Sequence, residues 1–142
     1  RLKLYRQGRL GVIIDGTGHK YKDVKEERQD LIDAGYDTFM VFVNTSLEIA
    51  QKRNEERDRV LPAKVVEKYW HSVQKNMAYF QGLFGNANFL LIDNNATLNP
   101  KQAQKKFNML VKKGIGGFIK RPIKNKIAKK WIEKQQILKK IK

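Results

Sequence analysis

The chain has 142 residues, enough for one domain with a sizeable core, and carries a formal net charge of +16. It contains no cysteine, which excludes a disulfide framework and a thiolate metal site, and His19 and His71 lack a metal-binding spacing. No apolar run approaches membrane-spanning length and no signal peptide is evident, so a soluble protein of a cytoplasmic-type compartment is expected.

The charge is unevenly placed. Residues 1–99 hold 15 Lys/Arg against 13 Asp/Glu, a net of +2, whereas residues 100–142 hold 15 Lys/Arg against Glu133 alone, a net of +14. A nearly neutral body therefore carries a basic tail of the kind that approaches nucleic acid or acidic surfaces. The expected division is a body over residues 1–98 and a helical tail over residues 99–142.

Residues 1–8 (RLKLYRQG) read as the end of a helix with Gly8 as its stop. Residues 10–14 form a short apolar strand, followed by Asp15-Gly16-Thr17-Gly18. Residues 21–34 read as a helix with Val24, Leu31 and Ile32 inward, closed by Gly35. Residues 38–43 (TFMVFV) are nearly unbroken in apolar character, which suits a strand covered on both faces, as in a parallel sheet. Thr45 and Glu48 have capping-box spacing, which opens a helix directly after that strand. This helix carries Arg53 and Arg57 four residues apart, hence on one face, and Arg59 follows.

Pro62 suits the first turn of the next helix, in which Val66, Tyr69, Trp70, Val73, Met77 and Phe80 repeat at helical spacing as a core stripe. Residues 89–92 (FLLI) make a third strand, ending at Asp93-Asn94-Asn95. Asn99-Pro100 opens a helix that Gly114 stops, with residues 114–117 as a flexible joint. A last amphipathic helix starts near Ile123, with Ile127, Trp131, Ile132 and Leu138 on one side and lysines on the other. The order β-α-β-α-α-β-α is that of an α/β protein with mostly parallel strands.

Three segments offer chemistry. Asp15 and Thr17 lie between a strand and a helix, where an acid accepts a hydrogen bond from a substrate hydroxyl and the glycines permit close backbone approach. An ordinary turn with Asp15 and Thr17 capping the helix competes with that reading. Arg53, Arg57 and Arg59 sit beyond the carboxyl end of a strand, where open α/β sheets bind ligands and arginines neutralise phosphoryl charge. A solvated mixed-charge helix, with Glu48, Glu55, Glu56 and Asp58 meeting the basic residues, is the competing reading. Asp93, Asn94 and Asn95, after the third strand, fit either nucleotide binding by hydrogen bonds to a base or polar substrate, or plain turn chemistry. No complete Gly-x-x-x-x-Gly-Lys-Ser/Thr phosphate loop occurs: the run from Gly11 to Gly16 is followed by Thr17 instead of lysine.

IIDGTG, then GYDTFMVFVNTSLEIAQKRNEERDRVLPAKVV, then FLLIDNN resembles, in that order, the carboxyl-terminal half of zeta-toxin-like P-loop kinases, the phage-encoded ones in particular. The resemblance covers roughly residues 1–95, and the tail FIKRPIKNKIAKKWIEKQ is similar to the endings of such phage proteins. It implies a partial P-loop kinase-type parallel sheet of three strands with flanking helices, and a basic helical extension. It implies that Asp15 and Thr17 contact the acceptor, although that family usually has Glu at the acid position. It also implies that arginines of the segment holding Arg53, Arg57 and Arg59 clamp ATP phosphates, the spacing not fixing which two, with Mg²⁺ as cofactor. The Walker A loop and the acidic general base would then lie upstream of Arg1, and the central strand between residues 10–14 and residues 38–43 would be missing. A kinase fragment transferring a γ-phosphoryl group to a hydroxyl, inactive alone, is the resulting expectation. The alternative is a nucleic-acid-binding module acting through residues 101–142, and a membrane surface would also suit the last helix.

Overall fold

The computed structural model describes residues 8–95 and 99–140, so the helix end expected over residues 1–8 lies almost wholly outside the described residues. The elements are helix α1 (Tyr21–Asp33), strand β1 (Met40–Asn44), helix α2 (Leu47–Glu55), helix α3 (Ala63–Phe84), a 3-10 turn (Asn86–Asn88), strand β2 (Phe89–Asp93), helix α4 (Pro100–Ile119) and helix α5 (Lys126–Lys140). The fold is α/β, built on a two-stranded parallel sheet.

The sheet pairs Met40 with Phe89, Phe42 with Leu91 and Asn44 with Asp93. Side chains alternate across a strand, so Met40, Phe42 and Phe89 share one face and Leu90 and Ile92 the other. The first face meets α1 and α3: Phe42, Phe80 and Phe84 form the buried cluster, with Tyr21, Val24, Val73 and Met77 packed around it. Phe80 is fully buried, as the stripe along α3 requires. Asn76 interrupts that stripe, and its Nδ2 donates to the carbonyls of Gly18 (3.1 Å) and His19 (3.0 Å), holding the segment before α1 against α3. The second face meets α4. A Cβ on Gly114 would stand 2.7 Å from Leu90 Cδ2, and Phe118 stacks on Phe39 with ring centroids 5.0 Å apart.

Among the described residues two strands form where three were expected. Residues 10–14 make no ladder, and Leu10, Ile13 and Ile14 are 52%, 99% and 42% exposed. An apolar run becomes a strand only when a neighbour accepts its backbone hydrogen bonds, and among the described residues β1 pairs with β2 alone. What ties this segment down is Tyr36 Oη donating to Leu10 O at 3.1 Å and Arg9 donating to Ala34 O at 3.1 Å.

The tail also departs from its expected form. Helix α4 opens as read, with a reciprocal capping box between Asn99 and Gln102, but it runs through residues 114–117 to Ile119. Gly114 is where the helix approaches the sheet, so the missing Cβ serves packing instead of termination. Helix α5 starts at Lys126, with Asn125 Oδ1 accepting from Ile127 N at 2.9 Å. Asn125 Nδ2 donates to Ile32 O (2.8 Å) and Tyr36 O (3.2 Å), anchoring the start of α5 to the end of α1. Among the described residues no helix is long and apolar enough to cross a membrane.

Candidate functional site

The carboxyl ends of β1 and β2 are fastened together by short polar side chains. Asn94 N donates to Asn44 O at 2.8 Å, one step beyond the ladder. Asn95 N donates to Asp93 Oδ1 at 3.0 Å, a local Asx turn. The Asn95 Oδ1 then accepts from Ser46 N (2.6 Å) and Thr45 Oγ1 (3.3 Å). Asn95 is therefore engaged in turn chemistry through its side chain and backbone, and Asn94 joins the strand ends through its backbone. The cap of α2 is Ser46, whose Oγ accepts from Ile49 N at 3.3 Å, in place of the expected Thr45. Thr45 serves the strand ends, and its carbonyl accepts from Trp70 Nε1 at 2.8 Å.

Arg53 projects from the last turn of α2 onto this junction, and its Nη2 donates to Asn94 O at 2.9 Å. It lines a groove of about 280 Å³ between α2 and α4, with Lys52 and Lys106 as further cations, Glu56 and Asp93 as acids, and Ile92 at the floor. A groove of that size suits a phosphate group or short phosphate chain better than a whole nucleotide, since ligand pockets start near ~300 Å³.

Arg57 and Arg59 do not share a helical face with Arg53, because α2 ends at Glu55. The physical reason is Asn54, buried at 7% exposure. Its Nδ2 donates to Leu61 O (2.8 Å) and its Oδ1 accepts from Leu61 N (3.0 Å), closing the chain into a loop over residues 55–61. Arg57 and Arg59 stand exposed on that loop beside Glu56 and Asp58. The ion pairs of a mixed-charge helix do not form: among the described residues the pairs are Lys20–Asp23, Lys22–Glu26 and His71–Glu67.

Asp15 and Thr17 are exposed and lie elsewhere, in the segment held against α3. Thr17 Oγ1 is hydrogen-bonded to His19 Nδ1, and the His19 ring lies 4.6 Å from that of Tyr69. Neither caps α1, whose first cap position is Lys20 with no side-chain cap bond. No hydrogen bond or ion pair among the described residues joins Asp15 or Thr17 to Arg53, Arg57 or Arg59. The structure brings together Arg53, Asn94 and Asn95, leaves Arg57 and Arg59 on the adjoining loop, and does not bring in Asp15 and Thr17.

Lys52, Lys106 and Asn54 went unread as site residues. Lys106 sits in the tail, and nothing local in the sequence tells that α4 returns to the sheet. Asn54 carries a faint signal, a polar residue flanked by Arg53 and Glu55 just where a helix must stop. Among the described residues no group of three or more His, Asp or Glu side chains is placed to hold a metal ion. Comparison with family models, curated proteins and solved structures finds no match to this chain.

Proposed function

We propose that the carboxyl edge of the sheet is the phosphate-clamping part of an ATP-dependent phosphotransferase site, with a hydroxyl compound as acceptor. The observation that carries this reading is Arg53. It is held on the carbonyl of Asn94, with no carboxylate paired to it among the described residues, over a groove that also holds Lys52 and Lys106. A guanidinium positioned by a carbonyl keeps its charge for an incoming anion. Arg57 and Arg59, on a loop hinged at Asn54 and Leu61, would close over the same phosphates as a lid. The motif order that resembles zeta-toxin-like kinases supports the assignment of the anion as a nucleoside triphosphate.

The chain lacks a Gly-x-x-x-x-Gly-Lys-Ser/Thr loop, so ATP binding without turnover is expected. Calorimetric titration of the whole chain with ATP tests this. Arg53→Gln should weaken binding about tenfold, the worth of one charge-assisted hydrogen bond. Measurable ATP hydrolysis by the chain, or binding untouched by Arg53→Gln and by the double change at Arg57 and Arg59, overturns the reading.

A second reading is favoured by the tail. Most lysines of α4 and α5 are exposed, and none is ion-paired among the described residues. Such a surface is suited to nucleic-acid phosphates.

A further inference from the structure

The opposite end of the sheet carries a second concentration of unpaired positive charge. A cleft of about 530 Å³ opens where β1 and β2 begin, between α1 and the α4–α5 junction. Its charged lining residues are Arg9, Arg28, Arg121 and Lys124 against Asp37. Asp37 is already engaged, its Oδ2 accepting from Lys124 N at 2.7 Å. Arg121 Nη1 is fixed by Ala87 O (2.7 Å) and Asn88 Oδ1 (3.2 Å), and Arg9 lies over the Trp131 ring at 5.0 Å while donating to Ala34 O.

Arg28 is different in kind. Its guanidinium rests over the Phe84 ring at 5.1 Å, and its Nε is buried with no acceptor. Among the described residues this guanidinium makes no hydrogen bond or ion pair at all. The protein itself seals Nε while the residue as a whole is half-buried, so an incoming anion meets the Nη groups, whose charge nothing among the described residues neutralises. The rest of the lining is largely apolar, with Phe118, Ile123 and Ile132 beside Trp131. A ligand that satisfies this cleft has a doubly charged head for the arginines and an apolar, planar body for the rings.

We propose that the cleft at the amino end of the sheet binds a phosphate monoester carried on an aromatic body, with Arg28 as its principal anion contact. It lies across the sheet from Arg53 and does not depend on the reading given to that residue.

The test uses the whole chain and phenyl phosphate, with inorganic phosphate and phenol as comparison probes. Binding is followed by NMR at the Trp131 indole N–H and the Arg28 Nε–H. Phenyl phosphate should shift both signals saturably, and inorganic phosphate and phenol should each bind about tenfold or more weakly, because each lacks one half of the recognition. Arg28→Gln should weaken phenyl phosphate about tenfold or more, since a bidentate fork is lost. Lys124→Gln should weaken it measurably without touching the fold, because only the backbone of Lys124 is hydrogen-bonded. Arg53→Gln should leave binding unchanged. Absence of saturable shifts overturns the proposal. So does equal binding of inorganic phosphate, which would mean diffuse attraction to the tail, or full binding in both the Arg28→Gln and Lys124→Gln proteins.

Discussion

Asn54→Ala probes how the arginine loop is held. Asn54 is buried, and its amide makes two reciprocal bonds with the backbone of Leu61, at 2.8 and 3.0 Å. Each such bond has a net worth of about 0.5–1.5 kcal/mol, and removing both also strands the Leu61 donor and acceptor. When the loop opens, water satisfies those groups, so the loss is capped near ~1–3 kcal/mol and falls on the loop instead of the whole fold. With a factor of ten per ~1.4 kcal/mol, the open population rises roughly ten- to a hundredfold. Limited trypsin digestion reads this directly, because Arg57 and Arg59 lie inside the loop and cleavage of a transiently opened segment follows its open population. Mass spectrometry should show early cuts after both residues in Asn54→Ala. Asn54→Asp, which keeps the acceptor for Leu61 N and loses the donor to Leu61 O, should also open the loop. Cleavage at the parent rate in both proteins would refute the clamp and, with it, the lid that the proposed function needs.

Two further outcomes follow from α4 and the tail. Gly114→Val places a branched side chain where a Cβ already meets Leu90 at 2.7 Å, and should cost about 1–3 kcal/mol in urea unfolding by overpacking. Gly116→Ala, with nothing within 4 Å of the new Cβ, should gain about 0.5–1 kcal/mol from helix propensity. If the tail binds nucleic acid, its affinity for a short duplex should fall steeply with salt, with a log–log slope of about −0.9 per phosphate contact. A chain ending at residue 99 should lose that binding, and a flat salt response would exclude the reading.

How far the sequence could be read depended on whether a signal was local. The runs at residues 38–43 and 89–92 form the parallel pair, over 40–44 and 89–93, because each carries strand character within itself, although Val43 and Leu91 lack the cover on both faces that the runs led one to expect. The α3 stripe and the Asn99 cap are local as well: Val73, Met77 and Phe80 pack into the core while Tyr69 stays exposed, and the cap forms. The run at residues 10–14 has equal strand character, but a ladder needs a second backbone, and no pattern within five residues reports whether one is there. Gly114 shows the same division. A glycine is a stop signal or a point of close approach according to what packs on it, and Leu90 is 24 positions away in sequence. The spacing of Arg53 and Arg57 means a shared face only if the helix continues through it, and Asn54 reaches forward to Leu61 and ends it.

The near-neutral charge of residues 1–99 hides how the arginines are used. Charge balance would leave the body indifferent to anions if its acids and bases were paired. The ion pairs among the described residues are exposed contacts within one helix or beside its start, made by lysines and a histidine. None involves an arginine. Arg9 and Arg53 of the body, and Arg121 of the basic tail, are held by backbone carbonyls, and Arg9 and Arg28 rest on aromatic faces. Carbonyls and rings orient a guanidinium but do not neutralise it. Among the described residues no acid is ion-paired to an arginine, so full positive charge stands at both ends of the strand pair: Arg53 where the strands finish, and Arg28 with Arg121 where they begin. Net charge predicts weak attraction for anions, whereas the pairing pattern predicts two separable anion sites. Their independence is measurable as additive losses when Arg28 and Arg53 are changed singly and together.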